Sequence, residues 1–229
     1  NEDKVAPTVN TSATPITCTN GDSGLDGAGS SAGANFSYLW TKVSCLGNFI
    51  GGTNAIIATV DSTGVFKLTV TNNTNGCTAE MDVTVTEDKT APTIATAASQ
   101  ITCSNPNSTL DGAGSSTGAN FTYDWTKVSG AGNLTGATDA ITATADGTGV
   151  FNLLITNTDN GCTSTMDVTV TQDSDVPTST ASATVIDCNN ATSTLDGAGS
   201  STGANFTYAW TQVSGTGNLT GATDTIVTT

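Results

Sequence analysis

The cysteines of this chain are placed by rule: Cys18 and Cys77 lie 59 positions apart, and so do Cys103 and Cys162. A pair that recurs at one separation is the pattern of a repeated disulfide, a bond that forms and persists in oxidising, extracellular compartments. The expected bonds are Cys18–Cys77 and Cys103–Cys162, with buried reduced thiols as the alternative. Each bond would constrain the unfolded chain and contribute on the order of 4 kcal/mol. Cys188 recurs in phase with Cys18 and Cys103, and its partner is expected beyond Thr229. Cys45 stands where the other copies carry Gly130 and Gly215, and reads as a free thiol or an intermolecular cross-link.

The carboxylates gather at two junctions, Glu87–Pro92 and Gln172–Pro177. Calcium takes about six to eight oxygen ligands, so Glu87, Asp88, Asp173 and Asp175 are candidate calcium ligands, with Asp111 from the Asp-Gly-Ala-Gly turn. A bound ion would stiffen the junctions. The competing reading is a solvated acidic linker, with Asp111 capping its own turn. Lys42 and Lys127 fall two residues after a tryptophan on the same strand face. They read either as partners for an intramolecular isopeptide bond or as strand-end lysines whose stems cover apolar surface. Gln212 replaces them in the third copy, which favours the second reading.

Enzymatic chemistry has little to stand on. There is no histidine for a base or a zinc site, no nucleophile elbow, and no glycine-rich loop between a strand and a helix. Paired carboxylates can hydrolyse glycosides, but these aspartates lie in turns, junctions and wet strand faces. The chain is read as a non-enzyme. A net charge of −15 with five lysines and no arginine opposes nucleic-acid binding. No stretch approaches the roughly 18–20 apolar residues of a membrane span.

What positions these residues is a repeat. Pro7, Pro92 and Pro177 are 85 apart, as are Trp40, Trp125 and Trp210. Residues 108–139 and 193–224 differ only at Asp124/Ala209, Lys127/Gln212 and Ala131/Thr216. A unit of 85 residues can close its own small core, unlike the shorter repeats of solenoids. The expected organisation is a junction at 1–6, modules at 7–88 and 89–173, and an incomplete third module at 174–229. Asn1–Thr8 mimics Thr86–Thr93, so the chain is expected to be an excerpt of a longer array.

Within the second copy, Phe121, Tyr123 and Trp125 alternate with Thr122, Asp124 and Thr126, the period of a half-buried strand. Phe151, Leu153 and Ile155 alternate likewise, as do Met166, Val168 and Val170. Thr158-Asp-Asn-Gly161 between the last two runs is a hairpin turn. Leu110, Leu134 and Ile141 complete the expected core, in which the Trp125 indole N–H requires an acceptor. About seven short strands with a Cys…Trp…Cys order predict an all-β fold: tandem immunoglobulin-like β-sandwich modules, arranged as an extended rod.

Leu110–Gly136 (LDGAGSSTGANFTYDWTKVSGAGNLTG), followed by GVFNLLITNTDNGC and MDVTVTQD, resembles the PKD-like and immunoglobulin-like repeats of large bacterial surface proteins. It is similar above all to those of giant secreted Bacteroidetes adhesins, the gliding-motility adhesins among them. One departure is WTKVSG where many PKD domains read WDFGDG. The resemblance implies a cell-surface, extracellular stalk, exported by that phylum's secretion system, with the adhesive tips elsewhere. Asp61-Ser62-Thr63 and Asp224-Thr225-Ile226 resemble that phylum's O-glycosylation site, marking Ser62 and Thr225 as candidate acceptors. The leading expectation is therefore structural: stalk or spacer repeats of a long adhesin or surface filament, giving reach and mechanical stability. The alternatives are multivalent modules that hold glycans or a surface through loops such as Gly112–Asn120, and subunits of a self-assembling filament. Expected partners are neighbouring repeats, like chains in a filament, and surface glycans.

Overall fold

The structure is a computed structural model that describes residues 4–45 and 47–228, without the side chain of Cys45, so the expectation for that thiol lies outside the described residues. Residues 1–173 form one compact unit and residues 174–229 a second. The described part is all-β.

The first unit holds two sandwiches of one design. In the first, β1 (Ser12–Ala13), β3 (Ser23–Asp26) and β5 (Ile57–Val60) form one antiparallel sheet. The other is made by β4 (Phe36–Cys45), β6 (Gly64–Asn72) and β7 (Thr78–Val85). The alternation read from sequence decides which side chains meet. Pairing of β4 with β6 sets Trp40 opposite Leu68, and both are buried with Phe66, Val70, Leu25 and Val60 in one core. Leu39, next to the tryptophan, points outward and is 45% exposed. Each fully buried side chain of this size contributes roughly 1.5–3 kcal/mol.

The second sandwich repeats the pairings with a shift of 85 residues. Its sheets are β9 (Ala97–Ala98), β10 (Ser108–Asp111), β13 (Thr142–Ala145) and β12 (Leu134–Thr135), and β11 (Phe121–Gly130), β14 (Gly149–Asn157) and β15 (Thr163–Val170). Trp125 faces Leu153 as Trp40 faces Leu68. A bulge interrupts β11 between Lys127 and Ser129, as it does β4 between Lys42 and Ser44. The N-terminal segment of each module is tied down by repeated bonds. Ser30 and Ser115 accept from the backbone of Asn10 and Ala95, while the hydroxyls of Tyr38 and Tyr123 donate to the carbonyls of Ser31 and Ser116.

Three expectations about the core need correction. Met166 is 39% exposed, because β15 is the outer strand of its three-stranded sheet and this part of it is uncovered. Ile141 is only partly buried, whereas Ile101, Ala143 and Ala145 belong to the core. The indoles of Trp40 and Trp125 are sealed among apolar side chains, and their Nε1 atoms have no acceptor among the described residues.

One further pairing leaves the sandwich. β2 (Ile16–Thr17) runs parallel to β8 (Glu87–Asp88), which follows β7 after Thr86, and Ile16 N donates to Thr86 O at 2.9 Å. The exit linker is thereby bonded back onto its own module. The second module repeats this where Ile101 N donates to Thr171 O at 2.9 Å and Asp173 N to Ile101 O at 2.8 Å.

In the second unit, β16 (Ser182–Ala183), β17 (Leu195–Asp196) and β18 (Val227–Thr228) form a small sheet. Residues 206–212 match β4 and β11 in sequence but form no strand. Phe206, Tyr208 and Trp210 line an open cleft, and Trp210 Nε1 donates to Thr225 O at 2.9 Å.

Candidate functional site

Outside the two cores, the junction between the first and second modules carries the disulfide found among the described residues. Cys18 follows β2 in a short turn, in which Thr17 N donates to Asn20 O and Asn20 N to Thr17 Oγ1. Cys162 ends the corner that follows β14, Asn160-Gly161-Cys162. The two sulfurs form a disulfide with a Cα–Cα distance of 5.1 Å and a sequence separation of 144. That separation is the 59 positions within a module plus the 85-residue period.

The expected bonds Cys18–Cys77 and Cys103–Cys162 are thus corrected: Cys18 pairs with Cys162, while Cys77, Cys103 and Cys188 are free thiols. The reason is positional. Cys18, the first cysteine of its module, sits in a turn that faces the second module. The second cysteine of a module sits in a corner that holds the linker entering its own module. Cys18 and Cys77 of one copy therefore do not meet, whereas Cys18 and Cys162 of successive copies do. A signal for this was present in the sequence. Neither cysteine falls within an alternating strand pattern, as the inter-sheet bond of a single sandwich requires; both fall in Thr-, Asn- and Gly-rich turns.

Asn160 organises the contact. It is 1% exposed, and its side chain spends both donors and its oxygen. Nδ2 donates to Asp88 Oδ1 and to Thr90 O, each at 3.0 Å, and Oδ1 accepts from Cys162 N at 2.9 Å. Its backbone carbonyl accepts from Cys18 N at 3.0 Å. One asparagine thus connects the turn of the first module, the linker and the corner of the second. Ser164 Oγ adds a bond to Pro92 O at 2.7 Å. Gly161 is required here on two counts: φ is +69°, and a Cβ would stand 2.2 Å from Thr19 Cγ2. The Asp88 carboxyl is held below its ordinary pKa, first by the backbone N–H of Thr90 and then by the Asn160 amide.

The remaining predicted site residues are dispersed. Glu87 pairs with Lys89 at 2.9 Å, Asp88 is engaged as above, and Asp111 Oδ1 accepts from Ala113 N at 2.8 Å, capping its own turn. Asp173 and Asp175 lie at the next linker. Among the described residues no three carboxylates or thiols come together as a metal-binding group. Glu87, Asp88 and Asp111 spend oxygens on nearby backbone and side-chain donors. Lys42 and Lys127 are exposed, and their amines donate to Asn48 Oδ1 at 3.0 Å and Asn133 Oδ1 at 3.2 Å. Ser62 lies in the turn between β5 and β6, against Gly47. Thr225 is exposed, and its hydroxyl donates to Ala222 O at 3.0 Å.

Two antiparallel sheets around a central tryptophan, repeated in tandem, define an immunoglobulin-like sandwich array. No family model matches the chain, and no curated protein matches it. Several solved structures resemble it at low identity. The three N-terminal domains of the Highly Immunogenic Outer Capsid protein of bacteriophage RB49 align at 16% identity and a TM-score of 0.41, over 72% of this chain and 59% of that one. The immunoglobulin domains 1–5 of Sidekick-1 align at 12% identity and a TM-score of 0.37, over 76% and 40%. The ectodomain of mouse nectin-like molecule 4 aligns at 15% and 0.26, over 74% and 65%. The chain thus spans less than two thirds of each of these proteins.

Proposed function

We propose that this chain is a run of spacer modules from the stalk of a long extracellular adhesin or surface filament, and that its work is to hold length under load. The observation that carries this reading is the Cys18–Cys162 bond. A chain pulled from its two ends passes force from Cys18 directly to Cys162, so residues 19–161 leave the load path. At ~3.3–3.6 Å per extended residue, roughly 500 Å of chain is withheld from extension. Both complete cores lie almost wholly inside that loop.

An oxidising, extracellular location is supported by the same disulfide. Assignment to the gliding-motility type of Bacteroidetes adhesin rests on the sequence resemblance, as do glycans at Ser62 and Thr225. The test is single-molecule force-extension of the chain with and without reductant. The proposed function expects reduction to lengthen the fully extended chain by roughly 500 Å; equal lengths in the two conditions would remove its basis.

A further inference from the structure

We propose that the corner Asn75-Gly76-Cys77 is a covalent docking site for the first-cysteine turn of another module of this kind, placed ahead of it in tandem. The disulfides of the array then join each module to the next and close none of them individually. This inference rests on the observed junction and stands whether or not the array serves as a stalk.

The corner is already built in the form used at Cys162. Cys77 N donates to Asn75 Oδ1 at 3.0 Å, and Asn75 Nδ2 donates to Val5 O at 3.1 Å. These reproduce the bonds of Asn160 to Cys162 N and to Thr90 O, since Val5 is the counterpart of Thr90. Gly76 has φ +73°, close to the +69° of Gly161. What differs is the occupant. Gly161 is closed off by Thr19, whereas nothing lies within 4 Å of the Cβ position of Gly76. Asn75 and Cys77 are half-buried and Gly76 is exposed, while Asn160 and Cys162 are buried. The seat that Thr19 fills in one corner is open in the other.

The complementary part is equally ready. Around Cys103, Thr102 N donates to Asn105 O at 2.9 Å and Asn105 N to Thr102 Oγ1 at 3.1 Å, the same two bonds that shape the turn at Cys18. In the second unit the turn at Cys188 is shaped by Asp187 and Asn190 in the same way. The occupant is therefore a turn of the form Thr/Asp-Cys-x-Asn, presented by a module 85 residues upstream. Linked so, successive disulfide loops overlap, and each encloses parts of two modules.

Closure needs a disulfide oxidant, such as glutathione disulfide. The Cys77 thiolate attacks one sulfur of the oxidant, forming a mixed disulfide and releasing one thiol. The thiolate of the docked turn then displaces the second. Two protein thiols lose two protons and two electrons, and the S–S bond of the oxidant is reduced to two thiols.

The test extends the full chain. A copy of Pro92–Val170 carrying Cys162→Ser is placed directly ahead of Asn1, so that Asn1 takes the place of Thr171, and the original Cys103 is changed to Ser. After oxidation with glutathione disulfide and alkylation, unreduced peptides should show the Cys103 of the copy linked to Cys77, beside Cys18–Cys162. Alkylated Cys77 in a folded leader, a Cys18–Cys77 link, or loss of Cys18–Cys162 would overturn the proposal. A second measurement does not depend on folding of the leader. The unextended chain is equilibrated with a peptide copy of residues 101–108 in glutathione buffer. Cys77 should hold the peptide in roughly tenfold excess over Cys103 or Cys188, equivalent to about 1.4 kcal/mol; an even distribution would overturn the proposal.

Discussion

Two corners of this molecule carry the same three residues, and only one of them is closed. Asn160-Gly161-Cys162 is packed against the turn of the preceding module and bonded to it, whereas Asn75-Gly76-Cys77 holds the same internal hydrogen bonds with its thiol free. The corner is thus shaped by its own module, before any neighbour arrives. What the neighbour adds is burial and the disulfide. The difference teaches that the sandwich is one level of design and the junction another, and that the cysteines belong to the second.

Breaking the bond should separate the corners most sharply. Cys18→Ser should remove on the order of 5 kcal/mol of constraint on the unfolded chain, given a closed loop spanning 144 positions. Cys77→Ser should leave thermal unfolding of this chain unchanged. Calorimetric scans of the two variants check the contrast. Within the sandwich, Leu153→Ala should cost about 2–5 kcal/mol in denaturant unfolding, because the side chain is fully buried and the packing around such a gap relaxes only partly. Met166→Ala, on the same face pattern but 39% exposed, should cost clearly less.

A smaller contrast isolates the asparagines. Asn160→Ala strips Thr90 O and Cys162 N of their side-chain partner in a buried setting, for about 1–3 kcal/mol. Asn75→Ala, at the open corner, should cost less, and the ratio of the two effects reports what the neighbour contributes. The smallest effect concerns pH. Asp88 has a folded pKa below its unfolded value, so its contribution is present above the ordinary aspartate range and is lost as pH falls through the lowered folded value. Asp88→Asn should therefore flatten the acid limb of the melting-temperature profile slightly, with the neutral-pH disulfide unaffected.

Much of this architecture was legible in the residues. The spacing of Trp40, Trp125 and Trp210 gave the period, and the alternation around Trp125 and Leu153 gave the two central strands and their buried faces. Those are local signals, read along one strand at a time. Met166 misled because alternation marks a face without saying whether anything covers it. The indole of Trp125 misled because a requirement for an acceptor is a tendency of buried polar groups, not a property of the strand. The cysteine pairing was hidden for a different reason. A separation of 59 says that two residues recur together, whereas bonding depends on which side of the module each turn faces. That only the fold supplies. Asn160 drew no attention either, since within the hairpin motif it reads as a turn residue, and its contacts to Asp88 and Thr90 lie about 70 residues upstream.

The central claim is that the disulfide crosses from one module to the next. Peptide mapping of the oxidised, unreduced chain after thiol alkylation tests it directly. A cross-linked pair containing Cys18 and Cys162, with Cys77 and Cys103 alkylated, is the predicted result. Cross-links joining Cys18 to Cys77 and Cys103 to Cys162 would contradict it.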